Sequence, residues 1–210
     1  MTGPDAVELA LPFTGRWLVQ NSPASRIPSH GTELFGTSHA IDFVPVGADG
    51  RSAPRTVSSL IGTESPESFV GFGRPILSPV PGEVVAVHDG EVDHAARRSP
   101  LSLIAYAFTQ PSRLRGGAPA IAGNHVAIRT GSGLVLVAHL RRGSIRVRRG
   151  QHVMVGEQLG ECGNSGNSTE PHVHVQVSDS LSREARGVPI AFARSGGGWW
   201  VPRNGEIVEA

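Results

Sequence analysis

Two histidines lie two positions apart in residues 171–177, which read PHVHVQV. Successive side chains of a strand point to opposite faces, so a strand here would place His172, His174 and Gln176 on one face. The valines would share the other face, and their alternation is typical of a half-buried strand. A helix would not bring residues two apart together. Two neighbouring imidazoles on the polar face can bind a metal ion, transfer protons, or lie in solvent without a function.

His139 is a further candidate, near the end of the apolar run GLVLVAHL. Alone, a histidine in such a run is more often a buried structural residue than a catalytic one. The residues that follow, 147–177, run through glycine-rich turns into the paired histidines. Glycine permits the positive φ angles of tight turns, so this segment can fold back on itself.

Two blocks of the sequence resemble a known family. The run AHL and the later glycine-rich lead-in to NSGNSTEPHVHV resemble the lysostaphin-type zinc endopeptidases that cut peptidoglycan cross-links. Upstream, HAIDF and GRPILSPVPGEVVAV resemble the same family's region around its metal-binding aspartate. The resemblance spans about residues 30–178. It implies a zinc metalloendopeptidase with one Zn²⁺ ion and a peptidoglycan or other peptide substrate.

The resemblance also implies roles for individual residues. Asp42 and His174 would be zinc ligands, and His139 and His172 would be catalytic residues beside the metal. Either of these two histidines can be the general base, and the sequence leaves that choice open. Catalytic zinc sites commonly have three protein ligands, so one ligand is still missing. The family's usual histidine lies four residues before the aspartate, where this sequence has Ser38.

Two histidines compete for the place of the third ligand. His39 lies three residues before Asp42, and this odd separation turns it to the opposite face of a regular strand. Only a β-bulge would bring it back. His30, in the loop-like stretch IPSHGTELFG, can approach from outside the strand, as related members with a longer insertion there imply. We therefore predict a metal site of His30, Asp42 and His174.

Short apolar runs separated by Gly, Pro, Ser or Asn predict a mostly β fold. The predicted strands cover residues 17–20, 39–46, 82–88, 124–130, 133–140, 144–149 and 172–177. The stretch RTGSGL predicts a hairpin turn. Residues 99–108 are the single helix candidate, with Ser99 as the N-cap.

Long loops are expected at roughly residues 47–72, 109–123 and 194–200, where they would surround a substrate groove. We predict one domain over residues 1–210, with a core at about 30–178 and extensions at both ends. Its architecture should be an antiparallel β-sandwich or hybrid barrel.

Composition narrows the function classes. No apolar run is long enough to cross a membrane. Cys162 is the only cysteine, so an intrachain disulfide is impossible. No basic region precedes an apolar core at the N-terminus, so no secretory signal is predicted and the sequence points to the cytoplasm. A peptidoglycan substrate would instead require export to the cell wall, and this conflict stays open.

The basic residues are all arginine, and ten of them lie between residues 97 and 149 without a single acid. Such a segment can attract an anionic polymer. No nucleic-acid motif accompanies it, so we do not expect nucleic-acid binding.

The main alternative to an active enzyme is an inactive family member that serves as a cell-wall binding or regulatory module. A phosphocarrier with two facing histidines is a weaker alternative, because it needs no counterpart of Asp42. The sequence does not set the oligomeric state or the bond that is cleaved.

Overall fold

The structure is a computed structural model that describes residues 6–56, 59, 62–99, 117–194 and 196–210. The strands in these ranges are β1 (Val7–Leu9), β2 (Arg16–Gln20), β3 (Ile41–Pro45), β4 (Pro75–Leu77), β5 (Gly82–His88), β6 (Asn124–Thr130), β7 (Gly133–Leu140), β8 (His152–Val153), β9 (Gln158–Glu161), β10 (Val173–Ser178), β11 (Ile190–Ala193), β12 (Trp199–Trp200) and β13 (Ile207–Glu209). A short helix, α1, covers Gly117–Ala122, and 3₁₀ segments cover Leu34–His39 and Pro66–Ser68.

The strands form one large sheet and two small ones. The main sheet has eight strands in the order β13-β2-β3-β10-β7-β6-β5-β8, and every neighbouring pair is antiparallel. Its edge strands, β13 and β8, do not pair with each other in the described part of the chain, so the sheet is open. The small sheets are β4-β9, which is antiparallel, and β1-β11-β12, in which β1 and β11 are parallel.

The main sheet buries one face against the two small sheets. Alternate residues of its strands, such as Phe43 and Val175, are fully buried in one cluster with residues of the small sheets, such as Ile76 and Phe192. The rings of Phe43 and Phe192 meet edge to face at 5.3 Å. Because side chains alternate along a strand, the other face of the main sheet carries the polar residues of the candidate site.

The predicted mostly β fold with antiparallel sheets is confirmed. The predicted strands at residues 82–88, 124–130 and 133–140 coincide with β5, β6 and β7. The predicted hairpin joins β6 to β7, with Thr130 paired to Gly133. The single-domain boundaries stay a prediction.

The strand predicted at residues 144–149 was wrong. Asp89 accepts hydrogen bonds from the backbone N–H groups of Gly143 and Ile145, so this segment is a loop held by a side chain rather than a strand held by a ladder. The expected loop at 109–123 contains α1. Apart from Ser99, the helix candidate at 99–108 lies outside the described residues. No helix in the described ranges has the length and hydropathy needed to cross a bilayer.

Candidate metal centre

The sheet register brings two predicted ligands together. β3 and β10 are antiparallel neighbours, and Asp42 pairs directly with His174. Residues directly opposite each other have Cβ atoms about 4.5–5.5 Å apart on the same face of the sheet. His174 Nδ1 lies 2.8 Å from Asp42 Oδ1, and both side chains are buried. Strand pairing therefore joins residues that are far apart in the sequence.

His30 completes the group from a loop. Its Nε2 lies 3.1 Å from Asp42 Oδ2. The candidate ligand atoms of His30, Asp42 and His174 all lie within 4.8 Å of one another, and no other such group is found among the described residues. His39 ends the 3₁₀ segment before β3, and its Nδ1 contacts Ser38 Oγ at 3.1 Å. The structure therefore places His30 in the cluster and leaves His39 outside it.

Gln176 fixes the tautomer of His174. The Gln176 side-chain N–H donates to the Phe35 carbonyl at 2.8 Å, which turns Oε1 of the same amide toward His174. Oε1 lies 2.9 Å from His174 Nε2 and can only accept, so Nε2 carries the proton. The neutral ring therefore presents the Nδ1 lone pair to Asp42.

Ser29 fixes the tautomer of His30. The Ser29 hydroxyl donates to the Thr37 carbonyl at 3.0 Å, and its oxygen lies 3.0 Å from His30 Nδ1. A hydroxyl has one proton to donate, so its oxygen accepts the Nδ1–H of His30. The Nε2 lone pair of His30 then points at Asp42.

Two lone pairs directed at one carboxylate need a cation between them. Burial alone raises the pKa of the Asp42 carboxyl, but His30, His172 and His174 outweigh burial and hold that pKa well below its usual range. Burial lowers the pKa of His174, yet its hydrogen bond to Asp42 prevails and the pKa is raised, so a proton can occupy the gap. Two neutral imidazoles and one carboxylate are also a donor set that suits Zn²⁺, and bonds from the outer ring nitrogens to fixed acceptors are typical of zinc ligands. The residues fit a metal ion.

A bulge in β7 lies next to this centre. Val126 of β6 pairs with Val137, whereas Asn124 pairs with Leu140, so a step of two residues on β6 faces a step of three on β7. The extra residue of a bulge bends the strand and redirects a side chain. His139, inside the bulge, has a φ of 62°, a left-handed conformation in which histidine is enriched among non-glycine residues.

The bulge turns His139 toward the metal centre. Val137 and Leu140 both belong to the core cluster, although they are three residues apart. Ala138 pairs with His174 and so belongs to the site face. The ring of His139 lies 4.6 Å from that of His172 and 5.7 Å from that of His174. With regular alternation, His139 would point into the core.

Backbone carbonyls orient the rings of His139 and His172. Nδ1 of His139 donates to the Ser165 carbonyl at 2.9 Å, and Nδ1 of His172 donates to the Glu170 carbonyl at 2.8 Å. Carbonyls only accept, so the neutral form of each ring has its proton on Nδ1 and a lone pair on Nε2. Nε2 of His172 lies 3.7 Å from Asp42 Oδ1. Burial, followed by the nearby His172 and His174, lowers the pKa of His139 well below its ordinary value and keeps its ring neutral.

A sequence model described as Peptidase family M23 matches residues 70–188, which is more than half of the chain. The chain belongs to this family. The match includes His139, His172 and His174 but begins after His30 and Asp42, whose place in the site therefore rests on the geometry above.

Several solved structures are similar to this M23 peptidase. The catalytic domain of a mutant of the prophage-encoded M23 protein EnpA from Enterococcus faecalis shares 18% identity over 90% of this chain and 91% of that chain, with a TM-score of 0.42. The lysostaphin catalytic domain from Staphylococcus simulans shares 17% identity over 83% and 88%, with a TM-score of 0.40. The deep-sea M23 metalloprotease pseudoalterin shares 14% identity over 96% and 94%, with a TM-score of 0.46.

The candidate metal centre of this M23 peptidase lies in a groove of about 480 Å³. Apolar side chains form much of its wall, namely Leu34, Phe35, Val44, Ile121, Leu136 and Leu181. The predicted long loop at 47–72 contacts Glu170, one of the residues that line this groove. Arg98 forms a two-pronged ion pair with buried Glu64 in this loop, at 2.7 and 2.8 Å. Ser52 of the same loop donates to the Glu170 carboxylate at 2.6 Å, beside the carbonyl that orients His172.

Three polar residues of the site had no role in the sequence analysis. Ser29 and Gln176 orient the candidate ligands His30 and His174, and Asn21 donates to Asp42 Oδ2 at 2.7 Å. The position of Gln176, two after His174, was a usable signal because it shares a face with the histidines. Asn21 has a φ of 47°, in a turn that nothing in the sequence connects to Asp42. Cys162 is buried, and burial raises the pKa of its thiol, which makes it an inert core residue.

Proposed function

We propose that this M23 peptidase is a zinc-dependent metalloendopeptidase that hydrolyses peptide bonds of peptidoglycan. One observation supports this most strongly. The lone pairs of His30 and His174 and the ionised carboxylate of Asp42 converge in a groove, next to two further imidazoles whose Nε2 atoms carry no proton. A merely structural cluster would have no need of two oriented, unprotonated nitrogens beside it.

His30, Asp42 and His174 would hold the metal ion. Zn²⁺ in such a site acts as a Lewis acid, which lowers the pKa of a coordinated water from about 15.7 to about 7 and polarises a carbonyl group. Asn21 donates a hydrogen bond to the Asp42 carboxylate, and the neighbouring histidines lower the pKa of this carboxyl and keep it ionised. Gln176 and Ser29 hold the two rings so that their lone pairs point inward.

His139 and His172 would move the protons. Neutral His139 can accept a proton from the attacking water at Nε2, because its lowered pKa keeps that nitrogen free at neutral pH. The proton then passes to the leaving amine. His172, with Nδ1–H bound to the Glu170 carbonyl, can take up a second proton from solvent on Nε2, and this charged form would stabilise the oxyanion. In the reverse division of roles, His172 would be the base and His139 would stabilise the oxyanion, against the lowered pKa of its ring.

The decisive experiment combines digestion and metal analysis on one sample. Purified protein is incubated with peptidoglycan, the soluble products are identified by mass spectrometry, and bound zinc is measured by elemental analysis. We expect about one zinc per chain and new amino termini at peptide cross-links. Asp42→Ala should lose both the zinc and the products. Stoichiometric zinc without any cleavage would favour the inactive binding module, and a lack of zinc would refute the proposal. Because peptidoglycan lies outside the membrane, the proposed activity requires the protein to reach the cell wall.

A further inference from the structure

The register of the main sheet orders the site face into rows across the strands. The row at the metal centre, the metal row, contains Asp42, His174 and Ala138. A second row, the arginine row, contains Ser178, Leu134, Arg129 and Glu83. Ser178 is four residues beyond His174, which is roughly 13 Å along the strand at about 3.3 Å per residue.

Arg129 is also displaced sideways from the metal centre. It lies on β6, two strands away from β10, and neighbouring strands are about 4.8 Å apart, which adds roughly 10 Å. The two displacements combine to about 16–17 Å between the Arg129 and His174 backbones. An extended peptide covers this distance with about five residues at 3.3–3.6 Å each.

A second pocket of about 520 Å³ lies over the arginine row. Leu181 lines both this second pocket and the metal groove, so the two are neighbours along one surface. The second pocket is lined by Arg129 and by Arg149, which arrives from the loop before β8. Both arginines are exposed.

Neither arginine of the second pocket forms an ion pair with any described acidic residue. Some arginines of the chain are paired, since Arg98 pairs with Glu64 and Arg141 with Glu161. A guanidinium presents a planar fork of N–H donors that matches a carboxylate. Two unpaired guanidinium groups that line one pocket are therefore suited to bind an anionic group of a ligand.

Two acids share the second pocket and limit its positive charge. Asp179 is engaged, since its Oδ1 accepts the backbone N–H of Arg186 at 2.9 Å. Glu83 lies across the strand pair from Arg129 without a hydrogen bond or ion pair to it in the described part of the chain. Glu83 therefore competes with an incoming anion for Arg129, and its removal should strengthen anion binding.

We propose that the second pocket is a substrate subsite in which Arg129 and Arg149 bind a carboxylate of the peptide. This carboxylate lies about five residues from the bond that is cleaved. The proposal rests on the proposed function and adds a substrate class to it, since the preferred peptides are anionic at a defined distance from the cleaved bond.

The test uses soluble cross-linked muropeptides, released from peptidoglycan by a muramidase, as the substrate. One half of the sample is amidated with a carbodiimide and ammonia, which removes the negative charge of the carboxylates. Initial rates on both halves give kcat and KM for the wild type, R129Q, R149Q, E83Q and the control R142Q. Arg142 is also exposed and lies with Arg149 in the loop between β7 and β8, but it does not line the second pocket.

We expect R129Q and R149Q each to raise KM roughly two- to fivefold, as for an exposed ion pair, with little change in kcat. E83Q should lower KM, and R142Q should leave it unchanged. Amidation should raise KM for the wild type but not for the double variant R129Q/R149Q. An equal effect of amidation on wild type and double variant would overturn the subsite while leaving the peptidase intact. If neither half is cleaved, the proposed function fails and the subsite fails with it.

Discussion

Replacement of Gln176 by alanine tests whether this buried amide prepares His174 for the metal. In the native chain, Oε1 of Gln176 accepts the Nε2–H of His174 at 2.9 Å, and its N–H donates to the Phe35 carbonyl at 2.8 Å. Gln176 is 3% exposed, so water cannot freely replace it. Gln176→Ala releases the His174 ring, which can then rotate or adopt the other tautomer.

The size of the effect follows from these two bonds. Loss of an outer hydrogen bond to a metal-binding histidine weakens metal affinity roughly 10- to 100-fold. This corresponds to about 1.4–2.7 kcal/mol. The unpaired Phe35 carbonyl should separately cost about 1–3 kcal/mol of folding free energy. The two effects need separate measurements.

The variant Gln176→Glu separates the effect on zinc affinity from the effect on folding stability. A carboxylate can still accept the Nε2–H of His174 but cannot donate to the Phe35 carbonyl. Stability should therefore fall in both variants, whereas zinc affinity should fall only in Gln176→Ala. The matched control is Gln158→Ala, which removes a glutamine whose N–H donates to the Gly160 carbonyl in β9, outside the groove.

Zinc affinity is measured by competition with a fluorescent chelator, and stability by thermal unfolding of the metal-free proteins. Equal zinc affinity in the wild type and Gln176→Ala would refute the tautomer argument, whatever happens to stability. Equal losses of affinity in the alanine and glutamate variants would show that the hydrogen bond to the Phe35 carbonyl, which both variants lack, sets the affinity rather than the acceptor facing His174.

Three further outcomes are expected. His30→Ala should abolish stoichiometric zinc binding, whereas His39→Ala should retain it, because His39 contacts Ser38 and lies outside the cluster; elemental analysis of both variants decides this. His139→Ala should retain zinc but lower turnover of muropeptides by roughly 10²–10⁴-fold, as for a lost proton carrier, and retained turnover would exclude its role. Removal of zinc should lower the unfolding temperature by about 5–10 °C relative to protein in a hundredfold excess of free zinc over its dissociation constant, and no shift would mean that the folded site does not bind zinc.

The sequence was most informative where strands are long. β5, β6 and β7 have seven or eight residues each, and their apolar patterns end at clear turn residues. Strands of two or three residues, such as β1, β8 and β12, cannot display an alternation and were missed. They exist because each pairs with a neighbouring strand: β1 and β12 flank β11, and β8 pairs with β5.

The metal site was predictable in part for a similar reason. Asp42 and His174 lie in strand patterns whose faces can be assigned, whereas the choice of His30 rested on the parity of His39 and on family resemblance. The structure brings His30 to Asp42, although no local pattern sets the path of the loop that carries it. Ser29 and Asn21 act through contacts between distant segments, so the sequence alone could not reveal them.

Because β7 contains one extra residue, the position of the His139 ring depends on the number of residues between Val137 and Leu140. Deletion of Ala138 would restore the regular two-residue period of β7, so that His139 would take the position of Ala138 opposite His174 and its imidazole would leave the place that it now occupies beside His172. Every residue named in the catalytic proposal would still be present in such a chain. An inactive descendant can therefore arise by the loss of one codon, and a search for substituted residues would not detect it.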